Sequence, residues 1–164
     1  TRGDLPIEVY EVNNTLPRAW FVNKTEVVSE EDVWNKIMQP DFDPRNIAYV
    51  PNEVSVSSGS QVSITHFEKS IHRITMSTES DGNHLLVLSE VFYPLRWKAK
   101  IDGEETQTHI VNGILRGVVV PTGKHTIEFI YDKSAFNKGL TISFVSFVMA
   151  LGFIGLGYFG NKKS

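Results

Sequence analysis

The segment that most constrains this chain runs from Leu140 to Phe159, twenty residues without a charge, a proline or a histidine. Eleven of them are Leu, Ile, Val or Phe, and each of these favours bilayer insertion by roughly 0.3–0.6 kcal/mol. A helix of this length is about 30 Å long, which matches the hydrocarbon core of a membrane. A domain of this size cannot bury such a helix on all sides. The segment therefore predicts one transmembrane helix at residues 140–159.

Lysines flank this segment on both sides. Lys162 and Lys163 follow it and predict a cytoplasmic tail at residues 160–164, with residues 1–139 outside the cytoplasm. Lys133 and Lys138 precede the segment, so the difference in positive charge between its two sides is small. Because the chain begins at Thr1 without a signal-peptide pattern, we expect it to be the last piece of a longer protein.

Small residues recur along one stripe of the predicted helix. Such stripes allow membrane helices to approach one another closely, and they predict packing against other transmembrane helices. Small residues are also common in membrane helices in general, so both interpretations stay open. The stripe consists of Gly139, Ser143, Ser146, Ala150 and Gly157.

The charge balance narrows the possible partners of residues 1–139. All 19 acidic residues but only 14 of the 16 basic ones lie there, which gives a formal charge of −5. This charge argues against nucleic acid, or an anionic membrane surface, as the main partner. The chain has no cysteine, which excludes a disulfide framework, a thiolate metal site and a cysteine nucleophile.

Alternating apolar and polar residues predict about nine strands, beginning with Leu5 to Val12. Asp102-Gly103 and Asn112-Gly113 are typical of tight hairpin turns. The uninterrupted apolar run from Leu85 to Leu88 is typical of a central strand that is covered on both faces. A single soluble helix is predicted at about residues 30–38, capped by Ser29 and Asp32, with an apolar face formed by Val33, Trp34, Ile37 and Met38. We predict an antiparallel β-sandwich, jelly-roll or Ig-like, with one short α-helix and the C-terminal transmembrane helix.

The densest cluster of functional side chains runs from Glu90 to Trp97. Aromatic rings beside a carboxylate and an arginine are typical of a sugar platform, on which the rings stack against pyranose C–H groups. The candidate sugar or acceptor contacts are Glu90, Tyr93, Trp97 and Arg116. The competing interpretation, favoured because Trp97 shares a strand face with Ala99 and Ile101, is that Trp97 fills the sandwich core.

Signals for catalysis are weak within the chain. Its five histidines lack metal-ligand spacing, so no metal site is predicted, and no nucleophile elbow, P-loop or dinucleotide fingerprint occurs. Glu90, Asp102, Glu104 and Glu105 could supply a glycosidase pair, but acids beside an Asp-Gly turn are usually solvated. We predict no catalytic residue and no cofactor in this fragment.

An ordered series of short segments resembles the C-terminal region of the YfhO family of bacterial membrane proteins. One departure is Leu95-Arg96, where a glycine is expected before Trp97. The series comprises Leu16-Pro17-Arg18-Ala19, Phe42-Asp43-Pro44, Leu86-Val87-Leu88-Ser89-Glu90, Phe92-Tyr93-Pro94, Trp97-Lys98-Ala99, Ile101-Asp102-Gly103, Asn112-Gly113-Ile114-Leu115-Arg116-Gly117-Val118, Val120-Pro121-Thr122-Gly123-Lys124-His125, Phe129-Ile130-Tyr131, Phe136 and Gly139-Leu140-Thr141-Ile142-Ser143.

The resemblance implies a polytopic glycosyltransferase of the bacterial cell membrane that uses lipid-linked sugars, with its catalytic acids in a preceding part of the protein. The fragment would be the non-catalytic extracytoplasmic domain and the last helix of that enzyme. The implied partners are the membrane, the enzyme's other helices, and a glycan or lipid-linked sugar. The alternative is a membrane-tethered carbohydrate- or protein-binding module without an enzymatic role.

Overall fold

The structure is a computed structural model that describes residues 10, 15–57 and 61–161, with side chains up to residue 154. Apart from Tyr10, the predicted first strand, Leu5 to Val12, lies outside these residues. The described elements are β1 (Ala19–Val22), β2 (Lys24–Val27), α1 (Val33–Ile37), β3 (Ile47–Val50), β4 (Val62–Lys69), β5 (Arg73–Ser80), β6 (His84–Val91), β7 (Trp97–Ile101), β8 (Glu104–Thr106), β9 (His109–Val111), β10 (Leu115–Val120), β11 (Gly123–Tyr131) and α2 (Ser134–Asn161).

Two antiparallel sheets pack face to face, which confirms the predicted β-sandwich. One sheet has four strands in the order β1-β6-β10-β9, and the other has five in the order β4-β5-β11-β7-β8. Alternate residues of each strand point to one face of its sheet, so both sheets contribute apolar side chains to a shared core. This core consists of Ala19, Ile74, Met76, Leu86, Leu88, Ala99, Val118, Val120, Ile127 and Phe129.

Strand β6 is buried on both faces, as its uninterrupted apolar run predicts. Leu86 and Leu88 point into the core between the sheets, whereas Leu85 and Val87 point outward into a second apolar cluster. That cluster is closed by β3 and the segment after it, through Val50 and Val54 among others. Strands β2 and β3 pair in parallel, an exception to the antiparallel arrangement that the sequence pattern does not predict.

Both predicted tight turns are present. Asp102 and Gly103 have φ angles of 51° and 89°, and Asn112 and Gly113 have φ angles of 50° and 77°. Positive φ at both central residues is the type I′ geometry, which suits the twist of a two-residue hairpin. The Asn112 side chain also accepts a hydrogen bond of 2.8 Å from the backbone N–H of Tyr49. This bond connects β3 to the four-stranded sheet.

Helix α1 is shorter than predicted, and its apolar face is less buried. It covers Val33–Ile37 rather than residues 30–38. The Ser29 hydroxyl accepts a hydrogen bond from the Asp32 N–H at 3.1 Å, so the capping pair holds the turn that precedes the helix. Val33 is buried, but Trp34 is 50% exposed and Met38 is 81% exposed. A single helical turn presents only one or two residues to the core, so it cannot bury all four residues of the predicted apolar face.

Helix α2 begins six residues before the predicted membrane segment. Its first turn is capped by Asp132, whose carboxylate accepts hydrogen bonds from the Ser134 N–H at 2.8 Å and the Ser134 hydroxyl at 3.0 Å. Within the described residues, Ser134–Ile154 is long and apolar enough to cross a membrane, and none of it is buried. Packing of its small-residue stripe against other helices stays a prediction.

Candidate functional site

The candidate residues cluster at the end of the sandwich from which α2 leaves, which we call the α2 end. Strand β11 finishes there at Tyr131, opposite Trp97, the first residue of β7. On the facing sheet, β6 finishes and β10 begins at the same level, where Leu115 pairs with Val91. The sheet registers thus bring the β6–β7 loop and the start of β10 together.

Arg116 lies between the two sheets at the α2 end and is only 3% exposed. Its guanidinium carbon lies 4.7 Å from the centre of the Trp97 ring and 5.7 Å from that of Phe129, so two aromatic faces stabilise the cation. The Nε and Nη1 atoms have no hydrogen-bond partner within the described residues. Burial lowers the pKa of Arg116, and the nearby Glu90 carboxylate opposes this shift. Arginine stays charged in proteins, so this position holds a buried cation.

Glu90 lies at the surface beside this buried cation. Its carboxylate forms ion pairs with Lys69, at the end of β4, and with Arg18, whose guanidinium is 3.7 Å away. One carboxylate is therefore shared by two surface cations. Glu90 therefore has two cationic partners and one negative charge to balance them.

Trp97 packs against the shared core and is only partly buried. Its ring meets Tyr131 edge to face, with 5.6 Å between ring centres. One part of the ring is therefore occupied by Arg116 and another by Tyr131. This arrangement agrees with the interpretation of Trp97 as a core residue.

Tyr93 lies in the β6–β7 loop and is 47% exposed. Its backbone carbonyl accepts hydrogen bonds from the N–H groups of Arg96 (3.3 Å) and Trp97 (3.0 Å), which fix the turn before β7. Tyr93 therefore lies in the loop that leads into Trp97, but Arg116 lies buried against the Trp97 ring. The structure brings Glu90, Trp97 and Arg116 together without forming one open surface from Tyr93, Trp97 and Arg116.

Two of the remaining candidate acids, Asp102 and Glu104, lie at the opposite end of the sandwich, which we call the distal end. There Asp102 accepts hydrogen bonds from the ring of His125 (2.6 Å) and from the Thr126 N–H (2.8 Å). These bonds lower the pKa of Asp102, and the bond to Asp102 is the main cause of the raised pKa of His125. Because Glu90 lies at the other end, it cannot form a catalytic carboxylate pair with Asp102 or Glu104. Glu105 instead forms an ion pair with Lys98 at 3.9 Å.

Two further features of the described chain concern ligands. No group of three or more His, Asp or Glu side chains is placed to hold a metal ion among the described residues. A mainly apolar cleft of about 220 Å³ lies beside α1, lined by Val28, Ser29, Glu30, Val33, Trp34, Tyr49, Val50, Pro51, Ile110 and Gly113. Ligand pockets usually exceed about 300 Å³, so this cleft is small for a sugar site.

Sequence reasoning missed the cations that share Glu90. Arg18 and Lys69 are far from Glu90 along the chain, and only strand pairing places them beside it.

Comparison with known proteins gives one match. A family model described as "Bacterial membrane protein YfhO" matches residues 39–143, which is more than half of the chain. No curated protein and no solved structure gives a significant match.

Proposed function

The chain belongs to the YfhO family of bacterial membrane proteins, and from this premise we propose that it is the outer, non-catalytic domain of a membrane glycosyltransferase. The family and the apolar α2 support membrane association, and the family suggests a glycosyltransferase-like function. In the proposed reaction, the enzyme moves a sugar from a polyprenyl-phosphate donor to a cell-envelope acceptor. The domain lies on the extracytoplasmic side, and the catalytic acids belong to a preceding part of the protein.

The observation that carries this proposal is the short connection between the sandwich and α2. Only Asp132 and Lys133 separate β11 from α2. A lipid-linked donor reacts close to the membrane surface, and this connection keeps the β6–β7 loop within reach of that zone. Tyr93, exposed in this loop, is the residue best placed to contact the acceptor, with the exposed part of Trp97 beside it.

The carboxylates singled out by the sequence have structural partners. Glu90 pairs with Arg18 and Lys69, and Asp102 accepts bonds from His125 and Thr126. A general acid or base needs a pKa near the operating pH, whereas these bonds lower the pKa of Asp102. These contacts support a positioning role for the domain.

The test uses the complete protein in membranes, with transfer measured against donor and acceptor concentration. Tyr93→Ala should raise the KM for the acceptor and leave the donor KM unchanged. Trp34→Ala serves as a matched control, because Trp34 is a half-exposed aromatic residue on α1, outside the β6–β7 loop. If Glu90→Gln or Asp102→Asn abolished turnover with both KM values unchanged, the non-catalytic role would be wrong.

A simpler observation separates the proposal from a binding module without an enzyme. Many hydrophobic segments encoded upstream of Thr1 would support the transferase. A lone signal peptide there would instead support a tethered carbohydrate- or protein-binding module.

A further inference from the structure

We propose that the α2 end of the sandwich is itself a membrane-contact surface, which binds the anionic phospholipid headgroups of the bilayer that α2 enters. This inference goes beyond glycosyl transfer. It requires α2 to enter the membrane but does not depend on what the complete protein catalyses.

The connection to α2 limits how far this end can lie from the bilayer. Two residues separate β11 from α2 and span at most about 7 Å. The six helical residues before the apolar segment add about 9 Å. The connection is also held by hydrogen bonds, since the Asp132 N–H donates to the Arg96 carbonyl at 2.6 Å and the Asp132 carboxylate caps α2. The loops of the α2 end therefore lie at or near the headgroup layer.

Exposed apolar side chains are found on two of the loops that project from this end. Ile71, in the β4–β5 turn, is 85% exposed, and Leu95, in the β6–β7 loop, is 74% exposed. Tyr93 is half-exposed in the same loop as Leu95, and tyrosine is enriched at membrane interfaces. Scattered apolar residues on a surface are ordinary. Here they share the end that faces the bilayer, where the interface can bury them.

Cations surround these apolar residues. Arg18 and Lys69 share the single carboxylate of Glu90, with Arg116 buried behind it. The hydrogen bonds from Ser134 lower the pKa of Asp132, and the charges of Arg96 and Lys98 add to this shift. Lys98 also forms an ion pair with Glu105 at 3.9 Å. Lys133, the residue before α2, is also exposed. Each basic residue near an anionic membrane contributes about 1 kcal/mol of attraction.

The charge distribution changes the expectation drawn from composition. A formal charge of −5 over residues 1–139 argued against an anionic membrane surface. Many of the acids lie away from the α2 end, however, and some of them, such as Asp102 and Glu79, are at the distal end, where Glu79 pairs with Lys124. Exposed charges act over about 10 Å at ordinary ionic strength, so the local surplus of cations outweighs the net charge.

The test reconstitutes the chain through α2 into vesicles of phosphatidylcholine alone, or of phosphatidylcholine mixed with phosphatidylglycerol. The natural chain has no cysteine, so Ile71→Cys and Leu95→Cys each provide a single site for an environment-sensitive fluorophore. Lys124→Cys is the control, because Lys124 is exposed at the distal end. A lipid-borne quencher should quench the labels at positions 71 and 95 in the mixed vesicles and leave the label at 124 unquenched.

The contribution of charge is tested with Arg18→Gln and Lys69→Gln, against Lys124→Gln as a control cation at the distal end. The ratio of docked to undocked domain should fall about fivefold for each cation removed at the α2 end, with circular dichroism used to verify folding. If these variants misfold, the natural domain is tested at about 1 M salt, which shortens the screening length to about 3 Å. The high salt should release the natural domain from the vesicle surface. Labels at 71 and 95 that stay as unquenched as the label at 124, or equal quenching in both vesicle types, would overturn the proposal.

Discussion

The two ends of the sandwich satisfy their charges in opposite ways. At the distal end, Asp102 and His125 form a matched pair, and Thr126 and Thr122 complete their hydrogen bonds. At the α2 end, Glu90 is shared by several cations, and two nitrogens of Arg116 have no hydrogen-bond partner within the described residues. A matched pair is sufficient for stability. A surplus of one sign, at the end that is connected to the apolar helix, is what the proposed contact with anionic headgroups requires.

The largest expected effect tests whether Trp97 belongs to the core of the α2 end. Trp97→Ala removes the ring that packs on Arg116 and Tyr131, so it should lower the free energy of unfolding by about 3 kcal/mol. Trp34→Ala, on half-exposed α1, should cost about 1 kcal/mol or less. Urea unfolding of both variants measures the difference. If Trp97→Ala left stability unchanged and reduced sugar transfer, Trp97 would be a sugar platform instead.

The next largest effect is expected from the two type I′ turns, of which one lies at each end of the sandwich. Gly113→Ala places a Cβ 3.1 Å from Val33 and 3.3 Å from Trp34, whereas a Cβ at Gly103 meets nothing within 4 Å. Both substitutions place a side chain at a positive φ angle, which should lower the free energy of unfolding by about 1 kcal/mol. Crowding should raise the loss for Gly113→Ala to about 2 kcal/mol. Thermal unfolding of both variants measures the costs. Equal losses would show that α1 moves away without cost.

A smaller effect tests the shared carboxylate. Glu90→Gln leaves Arg18, Lys69 and Arg116 without their common anion, and it should destabilise the domain by about 1 kcal/mol. Glu79→Gln breaks the exposed distal pair with Lys124 and should cost about 0.5 kcal/mol or less. Denaturant titrations at low and high salt measure both. An effect of Glu90→Gln no larger than that of Glu79→Gln would contradict the cation surplus.

The smallest effect is the pH dependence of the distal pair. The pKa of His125 is raised above its ordinary value of 6.5, so its stabilisation is complete below about pH 6.5 and is lost as the pH rises through the folded-state pKa. The pKa of Asp102 is lowered from 3.8, so its contribution is present above about pH 3.8 and is lost as the pH falls through the lower folded-state value. The stability advantage of the natural chain over His125→Gln should therefore be largest between these limits. Melting temperatures of both proteins across the pH range measure it, and an advantage that grew above pH 7 would contradict the assignment.

Local patterns in the chain predicted most of the fold. Alternation identified the strand that contains Trp97, Ala99 and Ile101, and two dipeptides identified the type I′ turns. Side-chain direction and positive φ are properties of neighbouring residues. The parallel pairing of β2 with β3 and the brevity of α1 were not predicted. Both depend on contacts with distant residues, which override local propensity.

The candidate site was predicted less completely. Glu90, Trp97 and Arg116 were chosen for their chemistry, and the structure places them together. Their arrangement was not predictable, since Arg116 is buried by Phe129 and Trp97, while Arg18 and Lys69 reach Glu90 from separate strands. Tyr93 is half-exposed in the β6–β7 loop, apart from the buried Arg116.

By itself, the sequence determined the membrane-compatible helix, the alternating strands and the tight turns. These features depend on the hydrophobicity, period and backbone preference of contiguous residues. Only the tertiary structure decided which charges meet. Because two sheets and a short connection bring Arg18, Lys69, Glu90 and Arg116 to the α2 end, a chain with a net negative soluble part presents cations beside its membrane helix.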